Sequence, residues 1–162
     1  MHCVSFHMTV NVLFVCYGNI CRSPLAEFVF KDMVYKEGLE GRIETASAGT
    51  SGEHIGDPVD RRSAEVMKKH GISCAGKRSR QLVRSDFYDY DYLVGMDSMN
   101  LRDMMAIRPD DATCKVALLL DYDGGGIVDD PYFTLDFDQA YYDIERGCRG
   151  LLEAIKGKLE RC

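Results

Sequence analysis

An apolar run from Val10 to Val15 feeds directly into Cys16-Tyr17-Gly18-Asn19-Ile20-Cys21-Arg22-Ser23-Pro24, and a helix-like pattern continues from Pro24 to Lys36. This junction constrains the fold more than any other feature. A short buried strand that passes through a tight loop into a helix is the first half of a parallel β-α-β unit. Pro24 suits the first helical turn, where no N–H is required, and Gly18 relaxes the preceding turn. The unpaired amides of the loop and the helix macrodipole then converge on one point and favour an anion there.

Cys16 and Arg22 stand at the two ends of that loop. A thiol at a helix N-terminus beside a cation is favoured as the thiolate, the form that acts as a nucleophile. The planar guanidinium of Arg22 grips two phosphoryl oxygens at once, a geometry that lysine lacks. The Ser23 hydroxyl donates a hydrogen bond to the thiolate or to a departing sulfur. A strand-end cysteine and a solvated first-turn arginine taken separately would mean nothing; their conjunction with the strand, the loop and the helix predicts a phosphate-handling nucleophile.

The remaining pattern alternates. Arg42 to Ala48 reads as a second strand, Asp60 to His70 as a helix stopped by Gly71, and Tyr90 to Met96 as a buried strand. Asp97 or Ser98 caps a helix towards Ile107, Lys115 to Leu120 is a fourth strand, and a last helix runs from about Leu135 to Leu159. Gly147 and Gly150 weaken that helix locally. The expected fold class is α/β, a three-layer sandwich with a central four-stranded parallel sheet and helices on both faces. Ligand sits at the C-terminal ends of the strands in such folds. Residues 1–9 are expected to be an N-terminal extension and 10–162 a single domain.

Gly124-Gly125-Gly126 is a turn rather than a dinucleotide fingerprint, because no strand leads directly into it. A net charge of −6 opposes non-specific nucleic-acid binding, and no apolar run approaches the roughly 20 residues of a membrane span. Arg61-Arg62 and Lys77-Arg78-Ser79-Arg80, the only basic clusters, read as solvated surface. Seven cysteines without regular spacing argue for reduced thiols and a cytoplasmic location rather than a disulfide framework. The first nine residues lack the pattern of a secretory signal.

The run Cys16 to Pro24, followed by Ala26-Glu27, resembles the phosphate loop of the low-molecular-weight protein tyrosine phosphatases. The resemblance recurs in Ser47-Ala48-Gly49-Thr50, His70-Gly71-Ile72, Asp91 to Asp97 and Asp130-Pro131-Tyr132. It implies a hydrolase that acts on phosphotyrosine proteins or peptides and aryl phosphates through a phosphocysteine intermediate. Cys16 is then the nucleophile and Arg22 the phosphate clamp, with inorganic phosphate or other oxyanions accepted in the same loop. Protonating the leaving oxygen calls for a carboxylic acid from another loop, either Asp129 or Asp130. The family's Asp-Pro-Tyr motif selects Asp130 as the general acid and later base.

The same resemblance assigns Tyr17, Gly18, Asn19, Ile20, Cys21, Ser23 and Tyr132 to substrate binding, with Tyr17 and Tyr132 as aromatic walls. Asn19 and Ser47 support the loop. Cys16 and Cys21 form a reversible protective disulfide in the family. No metal and no cofactor is implied, nor any nucleic-acid or membrane partner. This chain departs from animal members beside the slot, where Ser51-Gly52-Glu53-His54 replaces a tryptophan, and after Tyr132, where Phe133 replaces a second tyrosine. The alternative is a thiol-dependent arsenate reductase, which needs a close cysteine pair in the second half as an electron relay. Cys74 has no near partner before Cys114.

Overall fold

A computed structural model describes residues 8–160, so most of the expected N-terminal extension lies outside the described residues. Strand β1 covers Val10–Cys16, helix α1 Arg22–Lys36, and strand β2 Ile43–Gly49. Helices α2 (Arg61–Lys69) and α3 (Asp86–Asp89) precede strand β3 (Tyr92–Gly95). Helix α4 (Ser98–Ile107), strand β4 (Lys115–Leu118), the short helix α5 (Pro131–Thr134) and the long helix α6 (Phe137–Glu160) complete the chain.

The four strands form one parallel sheet in the order β2-β1-β3-β4. β1 is central, and its alternation divides the core in two. Val12, Phe14 and Cys16 point towards α1, α2 and α6, whereas Leu13 and Val15 face the smaller layer built from Phe87 and Met104. Burial on both faces accounts for a run with so little polar character. It also brings all four strands out with their C-terminal ends on one edge, and β1 delivers Cys16 there.

The element boundaries differ from the sequence reading where side chains cap or kink the chain. The fourth strand stops at Leu118, because Asp121 Oδ2 accepts from the Leu118 N–H at 3.0 Å and the chain tightens into a 3₁₀ turn over Leu119–Asp123. The last helix starts at Phe137 rather than Leu135. Leu135 is left-handed, with φ 63°, and Asp136 Oδ1 caps the new helix through the Gln139 N–H at 2.9 Å.

Gly147 and Gly150 are packing requirements. A Cβ on Gly147 would lie 2.6 Å from Leu119 Cγ, and one on Gly150 only 2.0 Å from the Tyr122 carbonyl oxygen. The glycines therefore let α6 press against the 3₁₀ turn, and the cost in helix propensity is offset by close contact.

Candidate active site

The loop between β1 and α1 turns on Asn19, the residue expected to shape it by holding an unusual backbone conformation. Asn19 carries the positive φ, 57°, while Gly18 does not. Gly18 is needed for a different reason: a Cβ there would come within 2.9 Å of His54 Cδ2. Asparagine tolerates the left-handed region better than most residues, and here its side chain is bonded on both sides. Asn19 Nδ2 donates to Ser23 Oγ at 2.8 Å and to Ser47 Oγ at 2.9 Å, and Asn19 Oδ1 accepts from the Arg80 N–H at 3.0 Å.

Cys16 is buried, and its sulfur lies 3.0 Å from Ser23 Oγ and 3.3 Å from the Asn19 nitrogen, whose N–H donates to it. Because Asn19 already occupies a lone pair of Ser23, the serine hydrogen is left for the sulfur or for the more distant Ala48 carbonyl at 3.4 Å, and a thiolate is the stronger acceptor. The first turn of α1 has neither an acidic residue nor a side-chain cap, so its amides are open to an anion.

Arg22 is 2% exposed and fixed by two distant loops. Its Nη1 donates to Asp97 Oδ2 at 2.7 Å and to the Val128 carbonyl at 2.8 Å. Those partners take both Nη1 protons, which leaves Nε and, beside a long 3.4 Å bond to Asp130 Oδ2, Nη2 to meet phosphoryl oxygens. Asp97 was legible only as a helix cap, and it does cap α4, with Oδ1 accepting from the Asn100 N–H at 2.8 Å. Its second oxygen does separate work on Arg22.

Asp130 reaches the site from the loop before α5. Its Oδ1 accepts from the Tyr132 N–H at 3.0 Å and its Oδ2 lies 3.4 Å from Arg22 Nη2. Together these groups line a cavity of about 200 Å³ with Cys16 and Arg22 at one end. Tyr17, Glu53 and His54 form one wall, and Asp130, Tyr132 and Phe133 the other. Tyr17 donates its hydroxyl to Glu53 Oε1 at 3.0 Å, and His54 Nδ1 is 3.1 Å from Asp57 Oδ2. Glu53 and His54 thus stand where the resemblance had left a gap.

Gly18, Ile20 and Cys21 also line the cavity, whereas Asn19 and Ser23 do not. Both are buried behind the loop, where they hold Cys16. Ser47 extends that support, donating to Glu27 Oε1 at 2.6 Å. Lys77 Nζ lies 3.3 Å from the same carboxylate oxygen and donates to the Ser47 carbonyl at 3.0 Å. Burial pulls the Lys77 ammonium below its usual range, against the opposing attraction of Glu27. The basic cluster at 77–80 is therefore not simply solvated surface: Lys77 is largely covered and Ser79 buried.

The two loop cysteines are free and differ in environment. Burial first, then the charges of Asp60 and Cys16, push the Cys21 thiol up to about 12, so Cys21 stays protonated at neutral pH. Cys74 and Cys114 do not line the cavity. Among the described residues, no group of three His, Cys, Asp or Glu side chains is placed to hold a metal ion, and no helix is long and apolar enough to cross a membrane.

A loop of open amides with a thiol beneath it and an arginine fixed at its edge places the protein in the class of thiol-dependent phosphatases on an α/β sheet. The chain belongs to the low molecular weight phosphotyrosine protein phosphatase family, whose pattern it matches over residues 11–161. It is 48% identical over 152 residues to the low molecular weight phosphotyrosine protein phosphatase of Schizosaccharomyces pombe, covering 90% of this chain and 97% of that one. It is 41% identical over 150 residues to the low molecular weight protein-tyrosine-phosphatase YfkJ of Bacillus subtilis, covering 91% and 96%. The crystal structure of YfkJ superposes with a TM-score of 0.91 at 39% identity, over 95% of this chain and 99% of that one. A protein tyrosine phosphatase from Entamoeba histolytica with Hepes in its active site superposes with a TM-score of 0.86 at 32% identity, over 92% and 98%.

Proposed function

We propose that the chain hydrolyses phosphotyrosine in proteins or peptides in two steps through a phosphocysteine at Cys16, with residues 10–162 acting as one catalytic domain. The observation that carries this reading is the triangle at the cavity floor. Cys16 Sγ is fixed by Ser23 and the Asn19 amide, Arg22 stands at the opposite end of the loop, and Asp130 comes within 3.4 Å of Arg22 from across the slot.

In the first step the Cys16 thiolate attacks phosphorus and the bond from phosphorus to the tyrosyl oxygen breaks. Asp130 gives its proton to that oxygen, while Arg22 and the loop amides hold the phosphoryl oxygens as charge builds on them. In the second step the Asp130 carboxylate takes a proton from water, the water oxygen attacks phosphorus, and the sulfur–phosphorus bond breaks. Ser23 donates to the departing thiolate, and inorganic phosphate leaves. Tyr17 and Tyr132 flank the aryl ring, and Ile20, an apolar side chain on the cavity, suits that ring better than a charged guanidinium. An oxyanion fits the same loop, and the Entamoeba protein holds Hepes in its active site. The mechanism needs Cys16 reduced, which agrees with a cytoplasmic setting.

The test is a kinetic panel of phosphotyrosine, phosphoserine, phosphoarginine and arsenate, the last with a thiol reductant. Hydrolysis of phosphotyrosine well above the others is expected, and C16S is expected to abolish it. Rapid arsenate turnover without aryl-phosphate hydrolysis would contradict the proposal.

A further inference from the structure

The Gly18–Asn19 peptide presents its two ends to different partners. Its N–H, on Asn19, donates to Cys16 Sγ at 3.3 Å. Its carbonyl, on Gly18, accepts from the Ser79 hydroxyl at 2.9 Å. The N–H and C=O of a trans peptide point in opposite directions across a rigid plane, so holding one end aims the other.

Ser79 is well placed to hold it. The residue is 4% exposed, and its own backbone is tied to the wall segment beside the slot. Its N–H donates to the Asp57 carbonyl at 2.9 Å, and its carbonyl accepts from the Gly56 N–H at 2.8 Å. The next residue grips the same loop, since the Arg80 N–H donates to Asn19 Oδ1 at 3.0 Å. Arg80 is anchored in turn by two 3.0 Å bonds from its guanidinium to the buried Asp86.

Such a hold answers a specific weakness. Asn19 is left-handed, a conformation that a non-glycine residue keeps only when its surroundings enforce it. The competing arrangement turns the Gly18–Asn19 peptide over, which points the carbonyl dipole at the sulfur and withdraws the N–H. A negative sulfur is favoured by the first orientation and opposed by the second.

We propose that Ser79 is a positioning residue for the reaction, its hydroxyl locking the Gly18–Asn19 peptide so that the N–H stays aimed at the Cys16 sulfur. The proposal rests on Cys16 being the nucleophile. Ser79 touches neither substrate nor the reacting atoms and acts through one peptide unit. It also couples the segment at 56–57, which follows the wall residue His54, to the loop, because the backbone bonds that aim the hydroxyl come from that segment.

The experiment compares wild type with S79A and S79T, in the full chain. Two quantities are read: the pH profile of kcat/KM for p-nitrophenyl phosphate, and the rate of iodoacetate alkylation that inorganic phosphate protects. S79A is expected to slow protected alkylation below neutral pH by about three- to tenfold, the worth of one hydrogen bond, and to move the acidic limb to higher pH. S79T, which keeps the hydroxyl, restores both. The other titratable groups on the slot, Cys21 and Arg22 on the loop, Tyr17, Glu53 and His54 on one wall, Asp130 and Tyr132 on the other, are the same in each protein, so a displaced limb reports the sulfur's surroundings. If S79A is too unstable to assay, S79C, slightly larger and a weak donor, is expected to behave as S79A should, with the alkylated cysteine located by peptide mapping. An S79A (or S79C) protein with the wild-type limb and alkylation rate, a loss that is equal at every pH, or no recovery in S79T overturns the role of Ser79. Wild-type protein whose alkylation phosphate does not protect would instead overturn the assignment of Cys16.

Discussion

Arg22 carries a full charge into a corner that is almost closed to water, and Asp97 is what makes that position tenable. A buried guanidinium deprived of its carboxylate is left with an uncompensated charge, a change that costs more than the intact pair contributes. D97A also uncaps α4, so it is expected to lower stability by about 2–4 kcal/mol, read from urea unfolding. D97N keeps a side chain that caps well but loses the charge. It is expected to lose less stability than D97A, because the cap of α4 is kept, while kcat/KM for aryl phosphates falls about tenfold, because the neutral amide holds Arg22 less firmly. At the other side of the slot, D130A is expected to slow hydrolysis most for substrates with poor leaving groups, which depend on the donated proton. A rate loss independent of the leaving group would argue that Asp130 only orients Arg22.

These residues also show how far a sequence reaches at this scale. Cys16, Arg22 and Ser23 were legible because the strand, loop and helix that aim them are contiguous. Asp97 and Ser79 were not, since they meet the loop from 75 and 61 residues away and each has an ordinary local explanation, a helix cap and a polar surface residue. Lys77 was hidden in the same way inside a basic run.

Helix α2 is the element where pH should act most visibly. Asp60 caps it through the Arg62 N–H at 2.8 Å. Burial alone would raise this carboxyl, but its bonds to Arg62 outweigh that and hold it below the usual carboxylate range. A depressed carboxyl contributes stability that is present above its unfolded value and is lost as pH falls through the lower folded value. D60A is therefore expected to cost about 1 kcal/mol at neutral pH, and its difference from wild type in thermal unfolding should vanish in strong acid. In α6 the order of two substitutions is informative. G150A faces a backbone carbonyl and should cost more than G147A, which meets a leucine side chain able to shift. The sequence could flag these glycines only as weak points, because the 3₁₀ turn they accommodate is itself a consequence of where β4 ends.

For the molecule as a whole, the parallel order of the sheet is what turns a local motif into a site. The strand edge that carries Cys16 out of β1 also carries Asp97 out of β3, and the chain beyond β4 brings Val128 and Asp130 to the same place. Alternating strands and helices foretold that layout, and the matching of faces followed from the apolar runs. Tertiary approach, not local pattern, decided which polar groups met there. An anion bound by the loop stabilises the folded state by mass action, so saturating phosphate is expected to raise the unfolding temperature of wild type and to do so much less in R22A.

The most direct test is to quench the enzyme in alkaline denaturant, where an S–P bond survives, during turnover of an aryl phosphate and find the phosphoryl group by peptide mass spectrometry at alkaline pH. One phosphoryl group is expected on the peptide bearing Cys16, bonded to its sulfur, and none in C16S. Turnover with no phosphorylated enzyme, or with the group on any other residue, would contradict a phosphocysteine at Cys16.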